Sequence, residues 1–204
     1  ATNAPDAIGP ITRIAAGGFH GLALRADGTA FAWGDNTSGQ TNLPAGVSNI
    51  IAISAGARHN LCLRSNGTVV AWGLNTFGQT NVPAGLGGVR SVAAGAEHSV
   101  ALRTNGTVVA WGGPTALTNV PAGTTNIAAV AAGATVTLAL RSNGTVVAWG
   151  HSDNSLTNLP TSLTNVAAIS AGLNHCLALR SDGTVVAWGD NTFFQLVVPP
   201  QVTN

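Results

Sequence analysis

Charge is what this chain has least of. Only 7% of its 204 residues are charged, against about 25% in an ordinary domain, and the formal net charge is +1. Lysine, tyrosine and methionine do not occur, so all eight basic residues are arginine. With no basic footprint, nucleic acid and anionic lipid are set aside as partners. Two cysteines, Cys62 and Cys176, are too few for a disulfide framework. Long apolar runs are missing as well. Although 45% of the residues are apolar, the best candidate run, 127–140, is short and broken by Gly133, Thr135 and Thr137, so it does not span a bilayer as a helix. No charged and then apolar leader opens the chain, and the start at Ala1 reads as a processed or excised segment whose targeting signal lies elsewhere. Nucleophile-elbow, zinc and phosphate-loop motifs are also absent. The expectation is a protein that is not an enzyme, with no cofactor and no metal.

What is there is repetition. The stretch RSNGTVVAWG stands at 64–73 and again at 141–150, with near copies at 25–34, 103–112 and 180–189. Successive tryptophans, Trp33, Trp72, Trp111, Trp149 and Trp188, are spaced 39, 39, 38 and 39 residues apart. A period of this length means a solenoid, propeller or array. The repeats run over about 2–40, 41–79, 80–117, 118–156 and 157–195, with a trailing linker at 196–204, and together make a single domain, 1–204. Within each repeat three short β-branched or alternating runs bounded by glycine read as strands. The stretch after the tryptophan, rich in Asn, Thr, Pro and Gly, reads as a loop.

Asn66-Gly67, Asn105-Gly106, Asn143-Gly144, Asp27-Gly28 and Asp182-Gly183 are dipeptides suited to a two-residue type I′ hairpin turn. Counting outward from Asn66-Gly67 pairs Leu63 with Val70, Cys62 with Ala71 and Leu61 with Trp72. That puts Leu61, Leu63, Val70 and Trp72 on one face and the smaller Cys62, Ala71 and Val69, with Arg64, on the other. A large face and a small face repeated in every unit are complementary, so each unit is expected to pack on the next.

The consensus AGxxHxLALRxDGTVxAWGxNxxGQ resembles the repeats of the regulator of chromosome condensation superfamily. The shorter unit and the GQTNVPAG linker are most similar to its bacterial, secreted branch, which includes a β-lactamase inhibitory protein. The resemblance covers essentially the whole chain. It implies an all-β fold, a β-propeller or open propeller-like array with about three short antiparallel strands per repeat, in an extracellular or cell-surface setting. Rings of that family usually have seven blades. With TNAP (2–5) and PPQVTN (199–204) in phase with the repeat, a five-bladed ring, a piece of a longer array and a unit that assembles all remain open.

Several residues could carry recognition. Histidine recurs in phase at His20, His59, His98 and His175, with Val136 in its place in the fourth repeat. A residue repeated in phase does one structural job, here a side-chain hydrogen bond to neighbouring backbone, and the same holds for the tryptophans as core. The arginines at 25, 64, 103, 141 and 180 read as stems packed across a neighbour that donate to loop carbonyls. Asp27 and Asp182 read as turn residues, Asp35 and Asp190 as Asx-turn residues in the loop, and only Glu97 and Asp153 break the acidic pattern. Both cysteines read as small buried residues. Phe77, Phe193 and Phe194 occupy loop positions where other repeats have smaller residues. The residue before the repeated histidine varies: Phe19, Arg58, Glu97, Thr135, Asn174. With the out-of-phase His151, these varied residues form the candidate binding set: Phe19, Arg58, Phe77, Glu97, His151, Asn174, Phe193 and Phe194. Sequons for glycosylation occur at Asn36, Asn66, Asn105 and Asn143. The expected function is a non-catalytic scaffold binding a protein or glycan through rim loops. Alternatives are a structural protein that stacks copies of itself blade to blade and, by resemblance, a β-lactamase inhibitor-like protein.

Overall fold

Residues 9–151 and 155–199 are described by the structure, a computed structural model. The in-phase ends 2–5 and 200–204, together with Asp6 and Asp153, lie outside the described residues. Every repeat folds as three consecutive antiparallel strands. The first blade is β1 (Ile11–Ala16), β2 (His20–Arg25) and β3 (Ala30–Gly34); the second is β4 (Ile50–Ala55), β5 (His59–Arg64) and β6 (Val69–Gly73). The third holds β7 (Val89–Ala94), β8 (Ser99–Arg103) and β9 (Val108–Trp111), followed by a four-residue helix, α1 (Thr115–Thr118). The fourth holds β10 (Ile127–Ala132), β11 (Val136–Arg141) and β12 (Val146–Gly150), and the fifth β13 (Val166–Ala171), β14 (His175–Arg180) and β15 (Val185–Gly189). First strands of successive blades are neighbours, and the turns that follow them converge on a shallow cleft of about 260 Å³ lined almost wholly by Ala and Gly.

The hairpin register differs by one residue from the type I′ expectation. Leu63 pairs with Val69, Cys62 with Val70, Leu61 with Ala71 and Asn60 with Trp72. Only the glycine of the dipeptide takes positive φ, 77° at Gly67, while Asn66 does not. The loop is therefore three residues, Ser65-Asn66-Gly67, closed by Arg64 N donating to Thr68 O at 2.9 Å and Gly67 N to Arg64 O at 2.9 Å. Asn66 Oδ1 holds this shape by accepting from the Thr68 N–H (3.1 Å) and Oγ1 (2.7 Å). A one-residue slip turns every side chain of a strand to its other face. Leu61, Leu63, Val69 and Ala71 thus share one face, and Asn60, Cys62, Val70 and Trp72 the other.

Blade-to-blade packing survives the correction, with its partners exchanged. The leucine face of one blade meets the tryptophan face of the next: Leu22 and Leu24 of the first pack with Cys62, Val70 and Trp72 of the second, and Leu61, Leu63 and Val69 of the second with Ala101, Val109 and Trp111 of the third. The last two seams repeat this arrangement. Small residues beside each tryptophan (Cys62, Ala101, Ala139, Ala178) leave room for the leucines, and each buried leucine contributes about 1.5–3 kcal/mol. Both cysteines are buried in different seams and free, and desolvation pushes their thiols up to about 11 for Cys62 and about 12 for Cys176.

Three backbone or indole links stitch each seam. The hairpin glycine carbonyl accepts from the first strand of the next blade, as Gly28 O does from Ile50 N at 3.1 Å. The turn after the first strand donates onward, as Gly18 N does to Gly56 O at 3.2 Å. From the second blade on, each tryptophan Nε1 donates to a carbonyl in the segment after the third strand of the blade before it: Trp72 to Gln40, Trp111 to Gln79, Trp149 to Leu117 and Trp188 to Leu156, all at 2.9–3.0 Å.

Candidate binding surface

Three of the four repeated histidines, His20, His59 and His98, form a fourth link in the first three seams. Their partner is a side chain of the following blade, where the sequence had suggested backbone. Nε2 of His20 lies 2.7 Å from Asn60 Oδ1, that of His59 3.0 Å from Ser99 Oγ, and that of His98 2.8 Å from Thr137 Oγ1. Asn60 and Ser99 pass their own protons to the Gln40 and Gln79 carbonyls at 2.7 and 2.8 Å, so the His20 and His59 Nε2 atoms are the donors. Where the histidine is replaced by Val136, the facing residue is Cys176, and both are buried in one apolar cluster. Polar groups at this buried position therefore come in pairs or not at all. Burial holds His59 and His98 neutral, with pKa values lowered to about 4.

Polar side chains in the turns are likewise committed to architecture. Asp27 and Asp182 accept from Thr29 and Thr184 in their hairpins. In the loops after β3 and β15, Asp35 and Asp190 accept from Thr37 and Thr192 and from Gln40 and Gln195 Nε2. These hydrogen bonds hold all four carboxyls below their ordinary range. The second blade has Leu74 at the aspartate position, and the buried Gln79 Nε2 is left without a partner. Arg141 and Arg180 donate to the Gly123 and Ser162 loop carbonyls, as expected from sequence, while Arg25 lies over the Phe31 ring, 4.0 Å from its centroid. Among the described residues, no group of three or more His, Cys, Asp or Glu is placed to hold a metal ion.

The sequence-derived candidates gather at one end of the blades. Phe19, Arg58, Thr135 and Asn174 each accept, through the backbone carbonyl, from the residue that opens the loop after the third strand: Asp35, Leu74, His151 and Asp190. In the third blade Gly113 sits against the Glu97 carbonyl and donates to Phe77 O at 3.0 Å, which brings Glu97 and Phe77 together across a seam. Phe19 is 71% exposed, Phe193 84% and Phe194 75%; Phe77 and Arg58 are exposed too, while Glu97, His151 and Asn174 are half-buried. The opposite end is taken up by the hairpins that stitch the seams. Asn66, Asn105 and Asn143 lie there, exposed, each with its Oδ1 accepting from the threonine of its own sequon. Asn36 is at the loop end with both side-chain atoms engaged, donating to Asn42 and accepting from Thr41 N.

The fifth loop stands out. Aligned on Asp35 and Asp190, Ser38, Gly39, Thr41 and Asn42 of the first loop become Phe193, Phe194, Leu196 and Val197. Phe194 takes φ 63°, where Gly39 and Gly78 take 76° and 78°. A bulky side chain in that region is strained and uncommon. Exposed Leu173 and Leu179 on the same blade, Val197 just after it, and Ile14 on the first, were not singled out from sequence. Leu179 and Ile14 occupy positions that are packed in the inner blades, so their exposure depends on which blades have neighbours, whereas Leu173 and Val197 stand where other repeats carry Gly, Ala or Asn.

Five stretches, 11–40, 50–79, 89–115, 127–155 and 166–195, match the regulator of chromosome condensation (RCC1) repeat. No curated protein sequence matches the chain. Among solved structures, human WBSCR16 is similar at 21% identity over 90% of this chain and 63% of its own, with a TM-score of 0.75. Prp20p from Saccharomyces cerevisiae, a structure described with its binding properties to Gsp1p and histones, is similar at 21% identity over 94% of this chain and 60% of its own, TM-score 0.76. The ectodomain of the Physcomitrella patens receptor kinase CR4 is similar at 23% identity over 93% of this chain and 54% of its own, TM-score 0.75. The chain thus spans about three-fifths of the length of the first two. At these identities the likeness is one of fold, a propeller of these repeats.

Proposed function

We propose, from the premise that this chain belongs to the regulator of chromosome condensation (RCC1) repeat family, that it is a non-catalytic scaffold whose loop end recognises a protein partner. The observation that carries this reading is Phe194. A phenylalanine held at φ 63° with its ring 75% exposed costs about 1 kcal/mol or more, and among the described residues it joins none of the apolar core clusters. An exposed aromatic kept under strain is a contact for something outside the fold. Phe193 beside it, Phe19 on the first blade and Phe77 at the second seam put three further anchors at the same end. His20, His59 and His98 are committed to seams and Asp27, Asp35, Asp182 and Asp190 to turns, which supports a binding role without chemistry. Apolar anchors with one arginine, Arg58, suit a protein surface better than a glycan, and the extracellular setting is proposed with it from the likeness to the secreted branch.

The test is selection from a displayed peptide library against the chain and against F77S/F193S/F194G, in which each loop receives the residues that the first loop already carries. The reading requires that selected peptides bind the wild type and lose at least tenfold in affinity on the variant, whose melting temperature should rise with the relief at 194. Peptides that bind both equally, or a chain that selects none but retains sugars on a glycan array, would overturn it.

A further inference from the structure

Among the described residues, the first and fifth blades each present a seam half that no other blade covers. Leu179 is 41% exposed, although Leu24, Leu63, Leu102 and Leu140 at the same position are all buried. On the first blade Ile14 is 79% exposed, where Ile53 of the second is packed between blades. Seven of the ten exposed large hydrophobic side chains among the described residues belong to these two blades, and Ile14 and Leu179 among them lie on the strand faces that lack a neighbouring blade. Trp33 and Ile14 line an open cleft of about 440 Å³ on the first blade's free face, the side on which every other tryptophan receives leucines. Among the described residues, no packing like that of successive blades joins the first blade to the fifth.

The polar groups of the two ends match as well. Gly183 and Gln195 carbonyls on the fifth blade stand where Gly28 and Gln40 accept, and Leu173 N stands where Gly18 N donates. Ile11 N and Trp33 Nε1 on the first blade stand where Ile50 N and Trp72 Nε1 donate, and Gly17 O where Gly56 O accepts. We propose that the fifth blade of one copy docks on the first blade of a second copy, head to tail, forming a seam of the same construction as the four inside the chain. Between two copies of this 204-residue chain the outer face of the fifth blade and that of the first are complementary to each other, in apolar shape and in the order of donors and acceptors, and that pairing makes a second copy the occupant. Such a heterologous contact closes into rings or runs on as filaments. At position 21, however, glycine stands where Asn60, Ser99 and Thr137 meet a histidine, so His175 gains no side-chain partner across the new seam. The intermolecular seam then has three polar links, as the fourth seam inside the chain has, and without a covalent connection between its blades it is reversible. This proposal is independent of the loop-end reading.

Light scattering on a size-exclusion column, over about 5–500 µM protein, tests it with L179D, which blocks the tail face, and I14D, which blocks the head face. The wild type should exceed the 20.3 kDa protomer mass increasingly with concentration, each variant should stay monomeric, and an equimolar mixture of the two should give dimers that grow no further. Both changes fall on exposed side chains, so an unchanged sheet signal in circular dichroism is required; if L179D loses it, L173D on the same blade replaces it. A wild type that stays at protomer mass, single variants that associate like the wild type, or a mixture that assembles past dimers overturns the proposal. L179D leaves the loop phenylalanines intact, so it should still bind selected peptides, which separates failure of this seam from failure of the loop-end reading.

Discussion

Replacing His98 by Val and Thr137 by Cys transplants the Val136–Cys176 pair one seam upstream, and the double-mutant cycle measures what the histidine link contributes. In H98V the Thr137 hydroxyl, fully buried, loses its 2.8 Å partner; a buried polar group left unpaired costs about 1–3 kcal/mol. T137C leaves His98 Nε2 in the same position, in a ring that is itself buried, at a similar cost. In the double variant neither orphan remains, and the chain already tolerates that pair at its last seam. Each single change should therefore destabilise by about 2 kcal/mol and the double by about 1 kcal/mol, a coupling of about 3 kcal/mol. Urea unfolding at pH 7.5 under reducing conditions gives the three values, provided the slope with denaturant stays constant across the set, since repeat arrays can lose cooperativity. Additivity to within about 0.5 kcal/mol would refute the reasoning, because the two residues would then be separate core positions.

Acid should weaken the fold through the same histidines. The unfolded chain protonates them from about pH 6.5, the folded chain only near 4. The unfolded state thus binds more protons in that window, and stability falls as pH drops from about 6.5 to 4, by up to about 3 kcal/mol for each of His59 and His98; urea midpoints that stay level over that range would contradict their burial as neutral rings. L74D supplies the carboxylate that the first and fifth loops already have, pairing Gln79 Nε2, and should stabilise by about 1 kcal/mol, read as a melting temperature raised by roughly 2–4 °C; a lower one would show that the leucine packing at 74 outweighs the missing bond. Both thiols should resist a disulfide reagent in the native state and react on unfolding, and prompt reaction of the folded chain would place Cys62 or Cys176 outside the seams.

The register was the part of the fold that the sequence expressed ambiguously. An Asn-Gly pair suits both a two-residue turn and a three-residue loop with a left-handed glycine. What separates them here is Thr68, Thr107 and Thr145, each two residues beyond the asparagine, whose N–H and hydroxyl bind its Oδ1 and fix the longer loop. The threonine is present in every repeat, so the signal was in the letters, but only the geometry of the bond gives it meaning. In the same way Asn60, Ser99 and Thr137, all able to hydrogen-bond, each face a histidine of the blade before, and Cys176 faces Val136, across a distance of 39 or 40 residues that has no local signature.

By itself the sequence determined the five repeats, their three strands, the tryptophan core and the end at which exposed aromatics cluster, because each of these follows from short-range alternation and from turn residues. Tertiary structure alone decided which face each side chain takes, which residue receives His20, His59 and His98, and that Ile14 and Leu179 are exposed where the matching residues of the inner blades are packed. A seam is made by residues tens of positions apart, and whether a leucine is core or surface depends on whether a neighbouring blade is there to cover it.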